Sequence, residues 1–206
     1  MNSVWPVVHD ERRALVADLQ SVPSDRWSTP SLCPGWDVHD VVAHLVDDAK
    51  TTRLGFIRHF AAAGFDFDRC NDDGLSRERG ETPAVTLARL EAVIDRTTSA
   101  PAPLATRLVE VFVHGEDIRR PLGIARRYPV DDVLTALRHQ LKTKVGHGGG
   151  RERADGLVLV PADAADRFGA GAEVRGSSIA LLLAVSGRPA HDGELSGPGA
   201  LRLGVS

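Results

Sequence analysis

Glu110 and His114 are the two residues whose chemical types and spacing first suggest a reaction site. They lie four positions apart in the apolar stretch LVEVFVHG, which begins at Leu108. In a regular helix their side chains would be about 40° apart around the axis and about 6 Å apart along it, so they would share a face. A carboxylate and an imidazole placed in this way can bind one divalent cation. They can also form a hydrogen-bonded pair, and the spacing alone leaves both interpretations open.

The surroundings of Glu110 favour the metal site. Apolar residues flank it on both sides, and a buried carboxylate costs roughly several kcal/mol unless it is paired or binds a metal. His44 is a third candidate ligand, because it lies in the apolar stretch VVAHLV of another predicted helix. Two facing helices of a bundle could bring the three groups together. This N, N, O ligand set fits zinc, and also nickel, iron or manganese.

The remaining histidines are weaker candidates. His39 lies five residues before His44 and therefore about 140° away around the same predicted helix. His59 would share the direction of His44 but lie about 22 Å further along the axis. The others occur in polar or loop surroundings. We predict solvated side chains for His9, His139, His147 and His191.

Helices are predicted to carry the candidate ligands. The apolar periodicity predicts helices at 8–19, 38–63, 83–98, 104–120 and 131–145. Asp37 is the predicted N-cap of the second helix, with Asp40 positioned to complete a capping box. Thr82, followed by Pro83, is the predicted start of the third.

Two segments of this predicted bundle lack helical periodicity. Residues 28–36 contain two prolines and a glycine, which predicts a loop. Residues 64–80 are polar and punctuated by glycine, so we expect an exposed connection that could shape a substrate pocket.

The chain is predicted to change character after residue 146. His147 is followed by three glycines, which indicates a flexible linker. Strands are predicted at 157–160 and 173–176, a serine-capped helix at 177–185, and one or two edge strands within 195–203. We therefore predict a helical bundle over 1–146 and a small α/β domain over 147–206.

The composition argues against several classes of protein. A net charge of -3 does not suit a surface that binds nucleic acid or anionic lipid, so neither partner is expected. No apolar run reaches the ~18 residues of a membrane span, and the N-terminus does not resemble a signal peptide, so we expect a cytoplasmic protein. Cys33 and Cys70 form no C-x-x-C pair, which excludes a cysteine-rich zinc finger. Two reduced thiols are expected there, although the sequence leaves a disulfide open.

Two stretches of the predicted bundle resemble the signatures of a known family. The first contains SLCPGWDV at 31–38 and VAHL at 42–45, and the second is EVFVHGEDI at 110–118, followed by PLG. Together they resemble the mycothiol-dependent maleylpyruvate isomerase family, which belongs to the DinB-like four-helix superfamily. The tail, with ALLL at 180–183 and a later Gly-Arg pair, is similar to the small C-terminal domain of that family.

This resemblance implies a fold, a metal and a cofactor. The implied fold is mainly α, a DinB-like four-helix bundle with a small C-terminal α/β domain. The implied metal is zinc, or another divalent ion, held by His44, Glu110 and His114. Mycothiol is the implied thiol cofactor, and an actinobacterium is the implied source. The family's characterised reaction is the cis–trans isomerisation of maleylpyruvate to fumarylpyruvate.

The resemblance also implies roles for individual residues. Three protein ligands would leave one position on zinc open for a thiol, which the metal would favour as its thiolate. The thiolate would add to a cis double bond and leave after rotation, or it would transfer to a small electrophile. Arg188 is the candidate counter-charge for an anionic substrate, with a surface arginine as the alternative. Asp117 either orients an imidazole or is a solvated helix-end carboxylate.

Other functions stay open at this stage. The same ligands could serve a hydrolase that uses zinc hydroxide and no thiol, or a non-catalytic metal-binding protein of stress response or detoxification. We expect Cys33 and Trp36 to have packing roles. The expected partners are a small-molecule thiol and a small electrophile, anionic in the case of maleylpyruvate. The sequence does not determine the oligomeric state.

Overall fold

The computed structural model describes residues 3–204, and it is mainly α-helical. Contacts within the chain divide it after Arg126 into two compact units, earlier than the predicted boundary after residue 146. The difference concerns one helix, predicted at 131–145, which packs against a later helix of the second unit. The predicted fold class, a mainly α bundle with a small C-terminal α/β domain, is confirmed. No helix within residues 3–204 has the length and apolar character needed to cross a membrane.

The first unit consists of short and medium helices around one apolar core. Its helices are α1 (Trp5–Gln20), α2 (Val38–Lys50), α3 (Arg53–Ala62), α4 (Phe67–Glu78), α5 (Pro83–Glu91), α6 (Ala105–Val109) and α7 (Gly115–Leu122). A 3₁₀ turn (Ser24–Ser28) follows α1, and a π-helical turn (Glu110–His114) joins α6 to α7. The buried core includes Leu15 and Leu19 of α1, Val42 of α2, Leu90 of α5 and Ile118 of α7.

Helix α2 begins as the sequence predicts. The side chain of Asp37 accepts a hydrogen bond from the backbone N–H of Asp40 at 2.8 Å, and Asp40 accepts one from the N–H of Asp37 at 3.0 Å. Arg79 donates hydrogen bonds to both carboxylates. Burial alone would raise the pKa of Asp37, but the hydrogen bonds from Arg79 and Asp40 hold it below its ordinary value. The capping box therefore fixes the first turn of the helix that carries His44.

The predicted continuous helix over 38–63 is wrong, because the structure has a break after Lys50. Thr51 has an extended backbone with ψ 119°, which ends α2. Thr52 then caps a new helix, and its hydroxyl accepts a hydrogen bond from Gly55 N–H at 3.0 Å. Threonine side chains offer the backbone such local hydrogen bonds, and two in succession favour a new start over continuation.

Helix α4 replaces the predicted exposed connection over 64–80. Its contacts with α2 include two ion pairs: Arg77 pairs with Asp47 at 2.6 Å, and Lys50 of α2 pairs with Glu78 at 2.6 Å. The prediction failed because it relied on apolar periodicity, and this helix has few apolar residues with which to show it.

The fourth predicted helix, 104–120, is present but irregular. It consists of α6, the π turn and α7, and it ends where Gly123 takes a left-handed backbone with φ 74°. A π turn has hydrogen bonds from residue i to i+5 and is wider than an α-helical turn. The predicted third helix is shorter than expected, since α5 ends at Glu91 and turns follow it.

The second unit has a small sheet with helices packed on it. Its elements are α8 (Val130–Gln140), β1 (Leu157–Pro161), β2 (Phe168–Gly169), β3 (Ala172–Gly176), α9 (Ser178–Val185) and α10 (Ala200–Gly204). The strand order is β2-β1-β3, with β1 antiparallel to β2 and parallel to β3. Strand β1 is buried along its whole length, as expected of its apolar run. Ser177 caps α9, as predicted.

Two predictions for the tail are wrong. Gly149 and Gly150 are buried and donate hydrogen bonds to Lys144 O and Gln140 O, so they form a packed turn and not a flexible linker. A Cβ at residue 150 would lie 2.1 Å from Val185 O, which explains the glycine there. Residues 195–203 form an isolated bridge to β3 and the start of α10, where edge strands were expected.

Candidate metal centre

His44, Glu110 and His114 converge on one point within the first unit. His44 Nε2 lies 3.5 Å from Glu110 Oε2, and His114 Nε2 lies 3.2 Å from the same oxygen. The two imidazole rings are 4.9 Å apart between centroids and nearly perpendicular. One ligand atom from each residue lies within 4.8 Å of the other two. The structure therefore brings together the three side chains that the sequence singled out.

Apolar packing directs these side chains toward one another. On α2, the neighbours Val42 and Leu45 are buried in the core, so His44 projects from the remaining side of the helix. In the π turn, Val111, Phe112 and Val113 are buried. The wider π turn keeps Glu110 and His114 in contact, although the local geometry is not that of the regular helix predicted. Single π turns occur often at functional sites.

The hydrogen bonding of Glu110 Oε2 shows whether these residues suit a metal. Among the described residues this buried oxygen accepts no hydrogen bond of good geometry, although two imidazole nitrogens lie within 3.5 Å of it. A buried carboxylate oxygen without a hydrogen bond is costly unless a cation satisfies it. Two imidazole nitrogens and one carboxylate form a common zinc ligand set. The residues present therefore fit a divalent metal.

Electrostatics keep Glu110 ionised. Burial alone would raise the pKa of its carboxyl group, but the adjoining imidazoles of His114 and His44 hold that pKa well below its ordinary value. An ionised carboxylate is the form that binds a cation.

Asp117 fixes the orientation of His114. Its fully buried carboxylate accepts a hydrogen bond from His114 Nδ1 at 2.9 Å, and the same oxygen accepts one from Cys33 Sγ at 3.4 Å. With its proton on Nδ1, the imidazole has Nε2 available as a ligand atom. Burial alone would lower the pKa of His114, but Asp117, Cys33 and Glu110 raise it well above its ordinary value. The geometry favours the orienting role for Asp117 over a solvated helix end.

Cys33 belongs to a second possible group of ligands. Its sulfur lies 3.8 Å from His114 Nδ1, and it forms a metal-compatible cluster with His114 and Asp117. In that cluster the Asp117 carboxylate already bonds to the His114 Nδ1–H. We therefore prefer His44, Glu110 and His114 as the candidate ligand set, because none of their converging ligand atoms is used by such a hydrogen bond. Cys33 was expected only to pack, but its thiol also donates a hydrogen bond to Asp117.

A buried ion pair that the sequence analysis missed lies one helical turn behind the ligands. Arg107, three residues before Glu110, pairs with Asp48, four residues after His44. Burial and the nearby Glu110 carboxylate raise the pKa of Asp48, while Arg107 opposes that rise. Both pairs, Asp48–Arg107 and His44–Glu110, join α2 to the same irregular helix. The sequence did contain a signal for the Asp48–Arg107 pair, since Asp48 lies four residues after His44 and Arg107 lies three residues before Glu110.

An open cavity of about 390 Å³ lies in front of the ligands. Its lining combines ligand histidines, residues of the loop before α2, and residues of α4. The lining residues are Cys33, Pro34, Trp36, His44, Asn71, Asp72 and His114. The Trp36 ring lies 5.1 Å from that of His44. Segment 64–80 therefore contributes to the pocket as expected, through a helix that was not expected.

The other candidates lie away from the three ligands or in the second unit. His39 is buried, with Nε2 2.6 Å from the Thr86 hydroxyl, and so faces away from the site as predicted. His59 is exposed on α3. Arg188 follows α9 in the second unit and donates a hydrogen bond to Ser186 O at 3.0 Å. Its predicted role as a counter-charge stays a prediction.

Sequence comparison matches the ligand-bearing part of the chain to a known family. Residues 8–119 match the family described as mycothiol maleylpyruvate isomerase N-terminal domain. Two uncharacterized proteins from two strains of Mycobacterium tuberculosis are each 30% identical over 155 residues. The matches cover 63% of this chain and 58% of each relative, so the chain spans less than two thirds of their length.

Structural comparison extends over nearly the whole chain. The crystal structure of a mycothiol-dependent maleylpyruvate isomerase matches with a TM-score of 0.61, and a histidine-to-alanine mutant of that enzyme matches with 0.60. Each match covers 95% of this chain and 92% of the other, at 18% sequence identity. At this identity the likeness concerns the fold.

Proposed function

The chain belongs to the mycothiol maleylpyruvate isomerase family, and from that premise we propose that it is a metal- and mycothiol-dependent enzyme. In this proposal His44, Glu110 and His114 hold one zinc ion. The reaction is a cis–trans isomerisation of the maleylpyruvate type or an S-transfer to a small electrophile. The observation that carries the proposal is the buried Glu110 Oε2, which accepts no hydrogen bond of good geometry and lies within 3.5 Å of two imidazole nitrogens beside a cavity.

Zinc in this position would stabilise the thiolate form of a bound thiol and so supply a nucleophile at neutral pH. The protein residues would supply the geometry. Asp117 keeps the proton of His114 on Nδ1, and so leaves Nε2 free to act as a ligand. Trp36 packs on the His44 ring and forms an apolar side of the cavity in which a small substrate would lie beside the thiol.

The reaction type then depends on whether the electrophile has a cis double bond, a leaving group or a ring that can open. For an isomerase, a bound thiol would supply the nucleophile for reversible addition to a cis carbon–carbon double bond, which would allow rotation about that bond, and His44, Glu110 and His114 would hold the metal beside it. For a transferase, the carbon–sulfur bond persists, and the electrophile releases its leaving group or opens a ring. Both outcomes need the same three ligands and the same cavity.

Elemental analysis of the purified protein is the first test. We expect about one zinc per chain in the wild type and a loss of bound zinc in His44→Ala and in His114→Ala, because each loses a ligand. His59→Ala, which removes an exposed histidine of α3, should keep its zinc and serves as the matched control. Wild-type protein without metal after incubation with zinc would contradict the proposal.

Thiol dependence separates the proposed enzyme from a hydrolase with the same ligands. The zinc-loaded protein should convert electrophiles only when a thiol is present. Turnover of ester or amide substrates without thiol would indicate zinc hydroxide chemistry instead. Zinc binding with neither activity would leave a metal-binding protein and would contradict the enzyme assignment.

A further inference from the structure

The cavity in front of the ligands has two chemically different sides. The loop before α2 supplies Cys33, Pro34 and the ring of Trp36, while α4 supplies the amide of Asn71 and the carboxylate of Asp72. In the proposed function the cavity must hold two molecules at once, a thiol and an electrophile. A mostly apolar side and a polar side suit two ligands of different chemical character.

The two polar side chains on α4 are available to a ligand. Among the described residues, neither the Asn71 amide nor the Asp72 carboxylate forms a hydrogen bond or an ion pair with another residue. Later in the same helix, by contrast, Arg77 is engaged in its ion pair with Asp47 of α2. An amide offers two donors and an acceptor, and a carboxylate offers two acceptor oxygens, so the two residues together can bind several hydroxyl groups.

A close contact at Gly74 fixes the part of α4 that carries these side chains. Gly74 is buried, and a Cβ at this position would lie 2.4 Å from Asp47 Oδ2. Helix α4 therefore approaches α2 more closely here than a larger residue would allow. Asn71 lies three residues before Gly74, on the same face of the helix, and it lines the cavity together with His44. The polar side of the cavity is thus held against the helix that carries the first candidate ligand.

The charge of Asp72 indicates which ligand lies against α4. An electrophile of the maleylpyruvate type carries carboxylate groups, and like charges at close range oppose binding. Mycothiol is uncharged apart from its thiol, because the amine and the carboxyl group of its cysteine are both in amide linkage, and the rest of the molecule is two hydroxyl-rich rings. Hydroxyl groups donate hydrogen bonds to carboxylates and accept them from amides. The polar side of the cavity therefore suits the thiol better than the electrophile.

We propose that α4 binds the hydroxyl-rich part of the thiol cofactor, with Asn71 and Asp72 as its hydrogen-bonding partners. This inference rests on the proposed function and adds to it the residues that distinguish mycothiol from a simpler thiol. The sulfur lies at the metal ligands, and the rings extend from there along α4. Asn71 and Asp72 are specificity-determining residues for the thiol and take no part in the bond changes of the reaction.

Two thiols that differ only in the hydroxyl-rich part test this proposal. Mycothiol has that part, and N-acetylcysteine methylamide has the same blocked cysteine without it. Calorimetric titration of each into the zinc-loaded protein gives two dissociation constants without turnover. We expect Asn71→Ala and Asp72→Ala each to raise the Kd of mycothiol about three- to tenfold, as is usual for the loss of one hydrogen bond. The Kd of the methylamide should change less than about twofold.

Asp73→Ala is the matched control on the same helix. Asp73 is exposed, as Asp72 is, but it does not line the cavity, so its loss should leave both constants within about twofold of the wild type. Alanine favours helix formation, so none of the three substitutions should unfold α4. Zinc content and circular dichroism, measured on every variant, check that the metal and the fold are retained.

The remaining outcomes separate this inference from the proposed function. An unchanged Kd of mycothiol in both variants, with zinc retained, would overturn the assignment of Asn71 and Asp72 and leave the thiol-dependent metalloenzyme intact. An equal loss of affinity for both thiols would also overturn it, because the effect would then lie at the cysteine part or at the metal. Zinc-loaded wild type that binds neither thiol would overturn the proposed function and the inference with it.

Discussion

Two walls face each other across the candidate site, and different forces hold them. The wall of α2 and the π turn carries the ligands and rests on side chains buried in the core, such as Val42 and Phe112. The wall of α4 carries Asn71 and Asp72, and its contacts with α2 include the ion pairs Lys50–Glu78 and Arg77–Asp47. Apolar burial contributes about 25 cal/mol per Å² and depends little on salt. Surface ion pairs contribute at most about 1 kcal/mol and are screened.

This difference suggests that the two walls have separate roles, one in holding a metal and the other in admitting a substrate. A metal site needs its ligand atoms held within fractions of an ångström, which close packing provides. A substrate wall must admit and release ligands, which suits a weakly held helix. We expect the two walls to respond differently to the same perturbations.

Phe112→Ala should cause the largest loss of stability. Phe112 is fully buried between the ligands of the π turn, and truncation of a buried phenylalanine typically costs about 3–5 kcal/mol. Urea unfolding monitored by circular dichroism measures the change. Phe56→Ala on α3, where the side chain is half-buried, is the control and should cost less. A loss below about 1 kcal/mol for Phe112→Ala would show that the first wall does not depend on core packing.

Asp117→Asn should weaken zinc binding about 10- to 100-fold, as is typical when the partner of a ligand histidine is altered. The substitution keeps the shape but removes the charge that holds the Nδ1–H of His114. Competition with a chromophoric chelator gives the affinity. Asp25→Asn, in the 3₁₀ turn after α1, provides a control. If the two variants bound zinc equally well, Asp117 would not position His114.

His39 should make the stability of the bundle depend on pH. Burial, and then the charge of Arg79, lower the pKa of His39 below its ordinary value, while Asp37 opposes them. The folded state therefore favours the neutral imidazole. Its contribution is complete above pH 6.5, the ordinary value, and is lost as the pH falls from there through the lowered pKa.

Unfolding free energies at pH 7.5 and 5.5 measure this effect. The wild type should lose stability on acidification by up to about 1.4 kcal/mol per pH unit from this group. His39→Gln keeps a polar side chain beside Thr86 but does not titrate, so it should lose less over the same interval. The comparison between the two proteins removes the contributions of the other groups. Equal losses would show that His39 does not cause the pH dependence.

Arg77→Ala should have the smallest effect on global stability, below about 1 kcal/mol, because the Arg77–Asp47 pair is partly exposed. Its effect on α4 should still be visible by amide hydrogen exchange, as faster exchange in α4 with unchanged exchange in α2. About 0.5 M salt should act in the same direction on the wild type. Arg58→Ala, an exposed arginine of α3, is the control. Equal acceleration in both helices would contradict the separate stabilities of the two walls.

The sequence was most informative where short-range rules determine structure. The Asp37 capping box and the cap at Thr82 depend on neighbouring residues, and both are present. The convergence of His44, Glu110 and His114 was also predictable, because apolar neighbours on each helix determine which side faces inward.

The failures come from interactions that a single segment does not encode. Helix α4 is held by partners on α2, so its own apolar pattern gave no signal. The Asp48–Arg107 pair joins residues that are distant in the chain. The π turn depends on how its side chains pack, and helix propensity does not distinguish it from an α-helical turn.

If the chain holds a metal as proposed, the distribution of the candidate ligands along the chain would link the lifetime of this protein to metal supply. His44 comes from α2, whereas Glu110 and His114 share one later turn, so an unfolded chain offers only a fragment of the site. A metal that binds the native fold alone shifts the folding equilibrium by mass action, by about 2.7 kcal/mol at a hundredfold excess over its Kd. Cells deprived of the metal would then hold a larger unfolded fraction and degrade more of the chain.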